Sequence, residues 1–220
     1  MQSNALPCSL LLAAALVSAA PRPACGATVP AITAFEGSFA RINDYTVTTR
    51  AHDVLGTAVQ DRTYHFLFKK PNKARIDIVN GPGRGGGGVW NGGDRVSGHR
   101  GGLLSRFRLK VSLHDSRATS LRGYTIIDAL IQNEVAQYRN TRGELIQKRG
   151  GGGTDEVELK LAAPALSGAD RGVTRMAMWF SKRTGWPVRQ IRWEGNKVAT
   201  EENWTDLRLD AGLPDGDFAF

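Results

Sequence analysis

The sequence predicts a mostly β protein with a few helices, built on a single curved antiparallel sheet that the helices cover. Three observations predict it. Segment after segment alternates apolar and polar residues, the period of a half-buried strand. The breaks between many of these segments are of hairpin length, which makes the strands antiparallel neighbours. Only two stretches switch to the helical period, so about nine or ten strands have two helices to cover their apolar face.

The elements follow in order. In PAITAFEGSFARIN, residues 30–43, Ile32, Phe35, Phe39 and Ile42 recur at helical spacing. Pro30 sits in the first turn, where its missing amide hydrogen does no harm. YTVTTRA at 45–51 is rich in β-branched and aromatic residues, and RTYHFLFK at 62–69 puts Tyr64, Phe66 and Phe68 on one face, with His65 on the other. Pro71 and Asn72 turn the chain into ARIDIV at 74–79. In GVWNGGDRV the Asn91-Gly92-Gly93-Asp94 run is a hairpin signal. RFRLKVSL at 106–113 alternates throughout: Phe107, Leu109, Val111 and Leu113 face one way, Arg106, Arg108, Lys110 and Ser112 the other. TIIDALIQNEVAQY at 125–138 is the second helix, its apolar stripe interrupted by Glu134, with Thr125 and Asp128 in capping-box spacing. Strands return at 144–148, 156–162, 175–181, 187–193 and 197–209, separated among others by Gly150–Gly153 and by Gly195-Asn196.

The first residues predict export. CSLLLAAALVSAA at 8–20 has the length of a signal-peptide core, and small-residue cleavage sites end at Ala20 and Ala27, although MQSNALP before it carries no positive charge. Residues 1–27 are therefore expected to be a signal peptide and 28–220 a single domain. Both cysteines, Cys8 and Cys25, fall in the leader, so the mature domain has neither a disulfide nor a thiol. Arg22 and Pro23 spoil a lipobox before Cys25, and lipid anchoring there is not expected. The formal charge of the whole chain is +8. A basic surface attracts acidic polymers in general, but outside the cytoplasm nucleic acid is not the expected partner.

The chemistry-bearing patterns are few. NGPGRGGGGVWNGGD at 80–94 holds eight glycines in fifteen residues. A phosphate loop needs a lysine and a hydroxyl residue after its last glycine and then a helix, whereas Gly88 is followed by Val89, Trp90 and Asn91. The glycines are read instead as loose turns between strands. His52, His65, His99 and His114 are scattered, with no metal-ligand spacing, and no GxSxG elbow occurs. No metal and no cofactor is expected. The carboxylates Asp77, Glu156 and Glu158 alternate outward on strands, and Asp94, Asp215 and Asp217 sit in turns, the pattern of solvated faces; a hydrolase with a paired-acid site is the third reading. What stands out is apolar surface: Phe66, Phe68, Trp90, Met176, Met178, Phe180 and Trp193 all lie on predicted strands. Each by itself reads as core packing; together they exceed what two helices can cover.

Two long segments carry a family resemblance. FKKPNKARIDI (68–78) followed by VWNGGDRV (89–96), and MWFSKRTGWPVRQI (178–191) followed by WTDLRLDAGLPDGDFAF (204–220), resemble the bacterial periplasmic lipoprotein carriers of the LolA/LolB superfamily, the outer-membrane lipoprotein-sorting proteins. Lys69, Lys70, Pro71 and Arg75 match that family's basic turn and strand opening, and Asn91, Gly92 and Gly93 its hairpin. The segment from Gly98 to Ser120 departs from the pattern. The resemblance implies an unclosed half-barrel with helices in its mouth and a hydrophobic cavity that takes acyl chains. It further implies a lipid or acylated lipoprotein as partner, inner- or outer-membrane transport proteins as further partners, and no catalysis.

The resulting expectation is a monomeric, non-enzymatic periplasmic carrier. Its cavity is expected from Phe66, Phe68, Ile76, Ile78, Met176, Met178 and Phe180 on the sheet and Ile127, Leu130 and Ile131 on the covering helix. Arg84 and Arg75 are expected at the rim, against a headgroup. A one-residue slip in any strand would reverse the face. A non-catalytic envelope scaffold or stress-sensing module of the same fold remains the alternative.

Overall fold

The computed structural model describes residues 29–102 and 107–220. The expected signal peptide, Cys8, Cys25 and Arg106 lie outside the described residues.

Among the described residues eleven strands form one antiparallel sheet that does not close. They are β1 (Asp44–Leu55), β2 (Ala58–Lys69), β3 (Lys73–Asn80), β4 (Gly87–Trp90), β5 (Arg95–His99), β6 (Leu109–Ser112), β7 (Gly143–Arg149), β8 (Thr154–Leu161), β9 (Arg175–Ser181), β10 (Pro187–Glu194) and β11 (Lys197–Leu209). Their spatial order is β6-β5-β4-β3-β2-β1-β11-β10-β9-β8-β7. The chain starts in the middle of the sheet, meanders to one edge at β6, crosses to the other edge at β7, and meanders back until β11 pairs with β1. Turn chemistry explains the hairpins. Gly56 closes β1–β2 and Gly195 closes β10–β11, both with positive φ, the backbone region a side chain disfavours.

Two helices lie on the concave face. α1 (Pro30–Arg41) begins at the proline and buries Ala31, Ile32 and Phe35. The Phe35 ring meets Trp186 edge-on at 4.9 Å, and Tyr45 packs on Phe68 at 5.2 Å, so α1 sits on an aromatic core shared by β1, β2 and the turn after β9. α2 runs from Ile131 to Asn140, shorter than the expected 125–138. Thr125 and Asp128 do form the reciprocal bonds of a capping box: Asp128 Oδ2 accepts from the Thr125 amide at 2.7 Å, and Thr125 Oγ1 accepts from the Asp128 amide at 3.3 Å. They close a separate turn, because the backbone is extended at Leu130 before the helix starts. Tyr45 anchors that start, its hydroxyl accepting from the Ile131 amide and donating to Gln132 Oε1, both at 3.2 Å. Arg139 on α2 then clamps Glu36 on α1 through two bonds of 2.6 and 2.8 Å.

The alternating segment at 106–113 is less strand than its pattern suggests. β6 covers only Leu109–Ser112; Phe107 is 66% exposed and Leu109 46% exposed. It is the edge strand, and its apolar row borders the open concave side. On the convex face the C-terminal residues fold back. Leu213 and Phe218 pack with Val89 and Leu67, and Asp215 is bonded by Lys69 and Lys73 at 2.8 and 2.9 Å.

Candidate functional site

The concave face is divided. Around α1, α2 and β7–β11 it is filled with close-packed side chains. Under β2–β6 it opens into a cavity of about 640 Å³, within the range of small-molecule sites.

Strand register explains the empty half. One inward row runs Val47, Phe66, Ile76, Gly88, Gly98, Leu109 across β1 to β6. Two successive glycines in that row remove the side chains that would fill the space. The next inward row, Tyr64 and Ile78, supplies a wall, as do Val96 and Val111. The segment between β6 and α2 forms the roof with Ala118, Ile126 and Ala129. It is held down where Gln60 Oε1 accepts from the Leu121 amide at 3.0 Å.

The sequence-predicted residues separate into two sets. Ile76, Ile78 and Arg84 line the cavity. Phe66, Phe68, Leu130, Ile131, Met176, Met178 and Phe180 are buried in the packed core, and Ile127 packs against it; none of these eight lines the cavity. Arg75 points to the convex face, where it clamps Asp77 at 2.7 and 3.0 Å and donates to the Asp217 carbonyl at 3.0 Å. It is therefore a partner of the C-terminal segment, not of the cavity rim.

The rim itself is basic. Arg84, Arg100 and Arg117 are exposed along it, the last held by Asp115 at 2.6 Å. Arg62 also lines the cavity and bonds the Pro82 carbonyl at 2.9 Å, which fixes the glycine turn 81–86 at the lip.

The inner end is acidic, a feature not anticipated from sequence. Asp53, Glu134 and Glu202 all line it, and all three are buried. Arg192 on β10 faces them: its guanidinium pairs with Glu134, lies 3.1 Å from Asp170 Oδ1 and 5.0 Å above the ring of Tyr124. Tyr124 donates to Asp170 Oδ1 at 2.5 Å, and Tyr64 donates to Glu202 Oε1 at 3.3 Å. Burial pushes the Glu202 carboxyl up to about 7, against the pull of Arg192. Burial likewise raises Asp53 and Glu134, the latter against the pull of Arg192. Among the described residues Glu202 Oε2 has no hydrogen-bond partner. The one sequence signal for this centre was Glu134 breaking an apolar helix stripe; Arg192 and Glu202 sit in strands whose alternation is interrupted by bulges.

Among the described residues no helix is long and apolar enough to cross a membrane, and no cluster of three or more His, Cys, Asp or Glu is arranged to hold a metal ion.

Comparisons with known proteins bear on the fold. No protein-family model matches the chain, and no curated protein matches it significantly. Among solved structures it is similar to an uncharacterized conserved protein from Thermus thermophilus, at 10% identity and TM-score 0.52, over 86% of this chain and 90% of that one. A putative outer membrane lipoprotein-sorting protein domain from Vibrio parahaemolyticus matches at 14% identity and TM-score 0.45, over 85% and 95%. A LolA superfamily protein from Nitrosomonas europaea matches at 11% identity and TM-score 0.39, over 88% and 99%. The architecture itself, one unclosed antiparallel sheet in the manner of a half-barrel, is the one expected from the sequence.

Proposed function

We propose that this protein is a non-enzymatic periplasmic carrier that shelters an acyl chain of a lipid or lipoprotein and moves it toward the outer membrane. The observation that supports it is the cavity of about 640 Å³ beneath β2–β6, walled by Ile76, Ile78, Val96, Leu109 and Val111. Each methylene buried there contributes about 0.8 kcal/mol, so a chain gains affinity without a polar contact. The basic rim of Arg84, Arg100 and Arg117 suits an anionic headgroup. Phe66, Phe68, Ile127, Leu130, Ile131, Met176, Met178 and Phe180 belong to the packed core beside the cavity and do not line it. The leader read at residues 1–27 supports a periplasmic location.

The test is uptake of a fluorescent fatty acid by the purified domain, compared with the Leu109→Asp variant. Leu109 is already 46% exposed on the edge strand, so the change leaves the core intact. Uptake that is weakened by the aspartate supports the carrier; absence of uptake by the unaltered domain overturns it.

A second reading is a non-catalytic envelope scaffold or stress-sensing module of the same fold. The close-packed half of the concave face favours it, because the largest apolar side chains are engaged with one another. A protein partner bound in the absence of any lipid uptake would select this reading.

A further inference from the structure

The cavity joins a basic mouth to an acidic inner end, an unusual arrangement for a space meant to hold only hydrocarbon. At the inner end Asp53, Glu134, Asp170 and Glu202 act on one another and on Arg192, and Arg62 adds its charge to Asp53. Arg122 also acts on Asp53 and is paired with Glu194 at 2.7 Å. Five acidic side chains thus face three guanidiniums, so acids outnumber bases at this end.

Of these acids Glu202 is the one with an unsatisfied buried oxygen. It is 8% exposed, it lines the cavity, and among the described residues its Oε2 has no partner while Oε1 accepts from Tyr64. A buried carboxylate oxygen without a donor is costly. Native interiors leave few such groups, so each one asks for an explanation. A donor carried on an organic ligand in the cavity would satisfy that oxygen.

We propose that the cavity binds an amphiphile whose buried end carries an ammonium group, received by Glu202 Oε2, with its apolar body along Ile76, Ile78, Val96 and Val111. This deepens the carrier reading and rests on it. An ammonium supplies the positive charge and the donor at once, and a charge-assisted bond to a desolvated carboxylate is strong. A plain acyl chain would leave Glu202 Oε2 as it is.

The experiment is calorimetric titration of the full mature chain with decylamine, decanol and decanoate at about pH 8, where the amine is still charged. The amine should bind more tightly than the alcohol by roughly tenfold, the worth of one charge-assisted bond over a neutral one. Glu202→Gln should remove that advantage while decanol binds as before. Equal affinity of amine and alcohol for the unaltered protein overturns the inference and leaves the carrier standing. An amine advantage that survives Glu202→Gln also overturns it. If none of the three compounds binds, both the inference and the carrier reading fail. The comparison of ligands on the unaltered protein decides the matter even if the variant does not fold.

Discussion

Tyr64 on β2 reaches over β1 to donate to Glu202 on β11, 3.3 Å from hydroxyl to Oε1, and so satisfies one oxygen of a carboxylate whose other oxygen is buried without a hydrogen-bond partner among the described residues. The strand between them makes room: Ala51 is the residue paired with Glu202 on one side and Arg62 on the other. A larger residue at Ala51 would stand between the two side chains.

A pH dependence of stability follows. Burial holds the folded Glu202 carboxyl near 7, from an ordinary value of 4.5. The folded state therefore binds a proton that the unfolded state has released across that interval. Stability from this group is present below the ordinary carboxylate range and is lost as pH rises toward 7. Denaturant melts between these two pH values should show it, and Glu202→Gln should flatten the slope.

The Glu134–Arg192 pair tests whether the polar centre is structural. Both side chains are almost completely buried. Glu134→Leu leaves the guanidinium without its principal partner and should cost about 3–5 kcal/mol. The double change Glu134→Leu with Arg192→Met should cost much less than the sum of the singles. Chemical denaturation of the four proteins closes the cycle.

Arg122 makes a separate prediction. Its buried guanidinium donates to the carbonyls of Val54, Ala169 and Arg171 at 2.6, 3.1 and 3.0 Å, besides its pair with Glu194. It ties the loop between β8 and β9 to the end of β1. Arg122→Met should destabilise by about 2–4 kcal/mol, since charged hydrogen bonds contribute about 1.5–3 each before compensation. Amide exchange in residues 165–173 should rise first.

The C-terminal segment should detach in acid. The side-chain bonds from Lys69 and Lys73 hold the Asp215 carboxyl down to about 2, below its ordinary value of 3.8. A depressed carboxylate contributes stability above its unfolded value and loses it as pH falls through the folded one. Limited proteolysis near residues 211–220 should accelerate on acidification toward pH 2, ahead of global unfolding, and Lys69→Ala should bring it on at higher pH.

The strands were legible because alternation and hairpin turns are local signals. The RTYHFLFK face, the Asn91–Asp94 turn and the two-residue turn at Gly195 all lie where period and turn chemistry put them. The cavity was harder to find for a physical reason. Large apolar residues such as Phe66, Met178 and Phe180 attract attention, and large residues fill space. A cavity is made where side chains are small, here at Gly88, Gly98, Ala51 and Ala118. The excess of glycine between Gly81 and Gly102 was the visible sign, and it reads equally well as loose turns. The acidic centre was hidden further still. Glu134, Arg192 and Glu202 are distant in sequence, and in a strand a charged residue normally marks the solvent face. At Arg192 the β10–β11 register also shifts.

The carrier account is tested most directly by native mass spectrometry of the mature protein, purified from a periplasm without detergent. It predicts a mass excess equal to one lipid or acyl species, lost in the Ile78→Asp variant and retained when Arg75 on the convex face becomes alanine. A clean apoprotein mass, with no adduct after incubation with phospholipid or fatty acid, would contradict it.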